Sequence, residues 1–360
     1  MSIREKSIGA RIQLACRARG MSVRRLAEKV GLSHTAVNKY VHGRTVPPSA
    51  ALIRLSQALD VSIEYLLRPF TLPVSKAQFR AKRSLKVRER KAIEAEVQDR
   101  LERLVSLEQF LPPDEVRTVD LPALKCSSLA SAEAAAQKVR DSWQLGRDAI
   151  ANFTGLLEEQ GIKILTVEAP PEFDGVSGNA SEISFIAIGK GDKWPGDRQR
   201  FTLAHELGHL VLKHASAIDD EKLCHRFAGA FLLPRDAMRR EFPHPRNSLS
   251  LEELHSLKHE YGISMQAILR RTSDLQIIQK ETYQKYCRTF SARGWRTNEP
   301  GDQIPQERPQ WETRLLERLL VEDLISPARA AEITKRSIVE LKNLGASVEK
   351  AHTQRHQYLD

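Results

Sequence analysis

Apolar positions recur at three- and four-residue intervals along most of the chain, in short blocks separated by glycine and proline. Near the N-terminus Leu26, Val30 and Leu32 are followed by Val37, Tyr40 and Val41, which is helical spacing. Gly31 falls between the two blocks, where a left-handed residue permits a tight turn. Ser22 and Ser33 stand where N-caps are needed, ahead of helices starting at Val23 and running over Ser33–His42. Gly43 stops the second helix, and Pro47-Pro48 precede another starting near Ser49. Two short helices about a glycine turn, with three flanking helices, predict an all-α helix-turn-helix unit over residues 1–69.

A connector over 70–112 begins basic and becomes a charged helix. Its stripe of Ile93, Val97, Leu101, Leu104 and Leu107 predicts one buried face, ending before Pro112-Pro113. Two fates suit that stripe: packing within its own chain, or service as a dimer interface or lever. The body, 113–277, reads as α+β. Helices are expected over 132–145, 148–160, 198–213, 221–233, 250–260 and 263–275. Strands are expected at "GIKILTVEAP" and "ISFIAIGKG". The extension over 278–360 opens on a Pro- and Gly-rich loop and continues as a helical hairpin with a Ser326-Pro327 start; its last residues are expected to fray. The fold class is mainly α, with the all-α N-terminal unit joined to a small α+β domain.

Charge changes this picture. Residues 1–92 hold 20 Lys and Arg against 5 Asp and Glu, whereas the whole chain is +10, so the remainder carries about −5. A basic head on a mildly acidic body points the head alone at a polyanion. Four scattered cysteines without a CxxC pair suit reduced thiols in a cytoplasm. No run of about 18 apolar residues predicts a membrane span, and the first 20 residues lack the apolar core of a signal peptide.

The chemistry concentrates in "RFTLAHELGHLVLKH", Arg200 to His214. Histidines at i and i+4 lie one turn apart, so His205 and His209 reach one metal ion. Glu206, set between them, is placed to act on a water beside that metal. This is the HExxH, zincin-like pattern: zinc acidifies water and the glutamate is the general base. A satisfied core helix is the plain alternative. A catalytic zinc takes a third protein ligand, and His214, Asp219, Asp220, Glu221 and His225 are the candidates within reach. Glu221 opens the next helix, "EKLCHRFAGAFLLP", and an inward carboxylate there closes the set, across a short spacer.

Residues 6–68 resemble the Cro/repressor helix-turn-helix of the XRE family through Leu26-Ala27, Gly31, Val37, Gly43 and "LDVSIEYLL". The resemblance implies a recognition helix in the major groove of an operator. Ser33, His34, Thr35, Asn38 and Lys39 are the expected base or phosphate contacts, with Arg24, Arg25 and Arg44 on phosphates. Val23 stands where a glutamine is usual. The stretches "WPGDRQRFTLAHELGHLVL", "EKLCHRFAGAFLLP" and "LKHEYGISMQAILRR" resemble the ImmA/IrrE family of gluzincin-like metallo-endopeptidases. That resemblance implies Zn²⁺ held by His205, His209 and Glu221, with Glu206 as base. Cys224-His225 replaces the usual Ala-Asn, leaving His225 as a partner behind a metal ligand, an oxyanion donor, or helix surface.

Together these imply a cytoplasmic, bacterial-type transcriptional regulator, nucleoid-associated when bound to double-stranded DNA as a homodimer. Its zinc endopeptidase would cleave a repressor, a partner protein or itself in stress, mobile-element or toxin–antitoxin control. The alternative is a repressor or antitoxin whose body is a sensor or protein-binding module without proteolysis.

Overall fold

The computed structural model describes residues 3–68, 85–191, 194–214 and 219–344. The expectations for the basic start of the connector and for the last residues of the tail fall outside these. The chain is mainly helical, with an all-helical N-terminal unit and an α+β body. The first unit packs α1 (Ile3–Ala18), α2 (Val23–Val30), α3 (His34–Val41), α4 (Ser49–Leu59) and α5 (Ile63–Leu67). Ile8, Ile12, Leu26, Val37, Leu55 and Leu59 fill their shared core. Ser22 and Ser33 cap α2 and α3 by accepting from the amides of Arg25 and Ala36, and Gly31 takes φ 64° between them.

The connector forms α6 (Val87–Glu108). Its apolar stripe is buried within the chain, against β2 (Lys163–Val167) and against α15 (Trp311–Val321) and α16 (Pro327–Thr334). Of the two fates open from sequence, internal packing accounts for this face. The polar side of α6 receives the head. Arg11, fully buried in α1, pairs with buried Glu102. Arg68 reaches Asp99 at 3.2 Å, and Asp99 also accepts from Lys335 at 2.9 Å. Head, connector and C-terminal hairpin therefore share one charge network.

In the body, β2 runs parallel to β4 (Ile183–Gly189), which pairs antiparallel with β3 (Gly175–Ala180). The uninterrupted apolar run in β4 follows from burial on both faces: Ile186 and Ile188 face one core, Phe185 and Ala187 the other. The inner core also takes α7 (Leu129–Ser142), α8 (Phe153–Glu159), α9 (Gly196–Val211), α10 (Asp220–Leu232), α11 (Arg235–Glu241), α12 (Leu251–Tyr261), α13 (Met265–Asp274) and α14 (Lys280–Ala292). A second, two-stranded sheet pairs β1 (Leu124–Cys126) in parallel with β5 (Leu212–His214).

Several boundaries differ from the sequence reading. Helix α8 starts at Phe153 rather than 148, because Asn152 is its cap and accepts from the Gly155 amide at 2.9 Å. The helix expected to reach 213 stops at Val211, where the chain turns into β5. Strands β1, β3 and β5 and helices α11 and α14 were not anticipated. Among the described residues, no helix is long and apolar enough to cross a membrane.

Candidate metal centre and nucleic-acid interface

Helix α9 carries Leu203, Leu207, Leu210 and Val211 into the inner core, which turns His205 and His209 toward α10. Gly208 sets how near α10 can come. A Cβ there would lie 3.3 Å from Cys224 Cα and 3.3 Å from the Phe227 ring. This close approach brings Glu221, in the first turn of α10, over both imidazoles despite the short spacer. Its carboxylate oxygens stand 3.2 Å from His205 Nε2 and 3.6 Å from His209 Nε2. The larger side chain of Gly208→Leu is expected to cost about 1–3 kcal/mol through overpacking, read as a lower urea midpoint.

The two Nε2 atoms are 3.2 Å apart. Two ligands about 2.05 Å from one tetrahedral zinc subtend an edge of roughly 3.3 Å, so the pair fits a single small cation. The side chains of His205 and His209 are 12% and 5% exposed, and Glu221 is 51% exposed. The centre is thus walled on the helix side and open beyond Glu221. The donor set, two imidazoles and one carboxylate, suits zinc. Burial works against a charged His209, but hydrogen bonding to Glu221 and the charges of Glu206, Asp220 and Glu221 prevail and raise its pKa. Hydrogen bonds from His205 and His209 hold Glu221 well below the usual carboxylate range. A cation entering this set displaces protons from the imidazoles.

Glu206 lies on the same helix, buried, with a carboxylate oxygen grouped with the two histidine nitrogens. Its Oε2 accepts a hydrogen bond from Ser177 Oγ at 2.7 Å. Ser177 belongs to β3, and Gly175 on that strand allows the contact: a Cβ there would fall 2.8 Å from Thr202 and 3.2 Å from Glu206 Cγ. Behind His209, Nδ1 faces Asp220 Oδ2 at 3.5 Å and Cys224 Sγ at 3.2 Å. These partners fix which ring nitrogen points into the centre. His205 Nδ1 is buried with no hydrogen-bond partner among the described residues.

Of the other third-ligand candidates, Asp220 thus backs His209 from its far nitrogen, and Asp219 pairs with Lys222 at 3.4 Å. The side chain of His214 lies outside the described residues. His225 is exposed, stacks on Phe201 and sets its ring centroid 4.5 Å from that of His205. A nitrogen of His225 can be grouped with His205 and Glu221 donors as well. Ser177 and the Asp220–Cys224 pair were not foreseen as supports of this centre. Gly-Val-Ser-Gly-Asn-Ala carries no strong strand signal, so nothing local placed Ser177 beside Glu206.

In the head, Ser33, His34, Thr35 and Lys39 are exposed on or just before α3, with Arg24, Arg25 and Arg44 exposed around it. Asn38 is half-buried, and its carbonyl accepts from His42 Nδ1 at 2.8 Å. Ser33 spends its hydroxyl on the cap of α3. Arg24 makes an exposed pair with Glu28 at 3.4 Å, which is weak in water and easily exchanged for a phosphate. Val37 and Val41 anchor the inner side of α3 in the core, so its polar side faces outward as one surface.

None of the curated proteins matches this chain. Residues 12–66 match the helix-turn-helix family model, and residues 157–273 match the peptidase M78 model, described as the IrrE N-terminal-like domain. The chain therefore joins an XRE-type helix-turn-helix DNA-binding domain to an IrrE/ImmA-like, metallopeptidase-type domain.

Proposed function

We propose that this protein is a DNA-bound regulator whose body is a zinc-dependent endopeptidase acting on a repressor, a partner protein or the chain itself. The observation that carries this reading is the convergence of His205, His209 and Glu221 on one point beside buried Glu206. His205, His209 and Glu221 would hold Zn²⁺, which when bound polarises a scissile carbonyl and acidifies water. Glu206, oriented by Ser177, takes the proton of the attacking water and passes it to the leaving amine. Asp220 and Cys224 keep His209 in register. The test is incubation of the native chain and Glu206→Gln with proteins encoded by neighbouring genes. Cleavage by the native chain alone supports the reading. Metal bound by both, with no neighbour cut, favours a sensor.

One observation favours that second reading. His225 stands close enough to His205 and Glu221 to act as a fourth donor. A four-ligand set has no open position and suits a sensing or protein-binding module.

The head would hold a homodimer on an operator, with α3 in the major groove. His34 and Asn38 would read base edges, joined by Ser33, Thr35 and Lys39. Arg24, Arg25 and Arg44 would grip phosphates. Operator affinity is expected to fall linearly on a log–log salt plot, and Arg44→Ala to reduce that slope by about 1. Fluorescence anisotropy with operator duplex at several salt concentrations measures both.

A further inference from the structure

A cavity of about 760 Å³ opens beside the metal centre, within the size range that encloses a drug-sized ligand, about 300–1,000 Å³. Phe201 and His225 form the wall it shares with the centre. The opposite wall comes from the segment after α14, including Arg296, Glu299 and Gln303. That segment lies outside the matched residues 157–273. It is nevertheless firmly built. The Glu299 carboxylate accepts the amides of Met265 and Gln266 at 2.9 and 3.0 Å, capping the start of α13. Gln266 Nε2 in turn donates to the carbonyls of Trp295 and Arg296 at 3.3 and 3.2 Å.

The cavity wall carries one cation, Arg296, that pairs with no described carboxylate. Six Lys and Arg side chains line it against three carboxylates. Five of these cations are held in ion pairs: Arg198 with Asp174, Lys222 with Asp219, Arg226 and Arg271 with Glu133, and Arg270 with Asp274. The three carboxylates are engaged as well. Asp197 and Glu299 both meet Lys258 at 3.0 Å. Asp274 binds Arg226 at 2.9 Å and Arg270 at 3.0 Å. Arg198 lies 3.4 Å over the Trp194 ring and donates to Asp174 at 2.7 Å. Arg296 is exposed and makes no ion pair with any described residue. His205, His209 and Glu221 do not line the cavity, so an occupant that also reaches the centre extends past His225.

We propose that this cavity receives an acidic stretch of polypeptide flanking the bond presented to the metal centre, and that the C-terminal segment supplies Arg296 to read it. The proposal rests on the endopeptidase reading and names its substrate class. Charge-assisted hydrogen bonds from the Arg296 guanidinium supply the preference for carboxylates over amides.

The test uses the full chain carrying Glu206→Gln and fluorescein-labelled hexapeptide pools with either a central Glu-Glu or a central Gln-Gln. Anisotropy should show the acidic pool binding at least about 10-fold more tightly, and Arg296→Glu, added to this chain, should abolish the difference. Because Arg296 is on the surface of the body, its loss separates cavity binding from adsorption to the basic head; Arg296→Lys should keep most of the preference. Equal affinity for the two pools, an unchanged preference in Arg296→Glu, or displacement by equimolar free glutamate would each overturn the proposal. Cleavage of a neighbour that needs no acidic stretch would sink this inference and leave the endopeptidase standing. The expected peptide preference without Glu206-dependent cleavage would do the reverse.

Discussion

Glu206→Gln is expected to lower peptide-bond cleavage by about 10³-fold, within the 10²–10⁴-fold range of general acid–base catalysis, while metal content stays at the native level. The physical basis is the division of labour on α9. His205 and His209 meet Glu221 through Nε2 atoms 3.2 Å apart, whereas Glu206 directs one oxygen to Ser177. The amide of Gln keeps the size and a hydrogen-bond acceptor for Ser177, but it has no basic oxygen to take a proton. Turnover of a substrate protein, followed by gel densitometry beside metal analysis of the same samples, separates the two effects. A variant that loses metal along with activity would move Glu206 from base to ligand.

Glu133→Ala is expected to cost about 3–5 kcal/mol, as for removal of one partner from a buried ion pair. Glu133 on α7 accepts from Arg271 at 3.0 and 2.8 Å, and from Arg226 at 3.2 Å and Arg235 at 3.3 Å. It thereby ties α7 to α10, α11 and α13 around the core beneath the metal centre. Arg271 is 2% exposed, so removing the carboxylate strands a buried guanidinium. Burial alone would raise the Glu133 pKa, but the hydrogen bonds from Arg271 and the charges of Arg271, Arg235 and Arg226 bring it down to about 2. A carboxyl depressed in the folded state stabilises above its ordinary pKa and loses that contribution as pH falls. The native chain should therefore lose about 3 kcal/mol between pH 5 and pH 2 from this group. Glu133→Gln should lack that component of the acid sensitivity. Urea midpoints across this pH range are the measurement, and parallel pH profiles for the two chains would remove Glu133 from the account.

Much of this centre was legible because its chemistry is local. The i, i+4 histidines and the intervening glutamate lie on one helix, so spacing alone sets their geometry. Gly208, inside the same motif, leaves room for α10 to pack close. Glu221 needed the family resemblance, because spacing left five candidates for a third ligand. The helix-turn-helix was readable for a similar reason: Ser22, Gly31 and Ser33 act within four residues of themselves.

What stayed hidden depends on contacts between distant segments. Ser177 supports Glu206 from an edge strand of weak β propensity. The segment after Trp295 reads as a polar loop, yet its carboxylates satisfy the opening amides of far helices: Glu307 accepts from Phe153 and Thr154 at the start of α8 and pairs with Arg200 of α9. Gly196, at the first turn of α9, donates to Ile304 O at 2.7 Å. Caps supplied from over 100 residues away have no local signature. The same holds for Glu102, which in sequence is one charge among many on α6 and in the fold receives buried Arg11.

His205, His209 and Glu221 are expected to hold one divalent cation. Elemental analysis by inductively coupled plasma mass spectrometry, on the native chain and on His205→Ala, Glu221→Ala and His225→Ala, tests it most directly. One zinc per chain is expected in the native protein and in His225→Ala, and almost none in the other two. Full zinc in Glu221→Ala, or none in the native chain, would contradict the account.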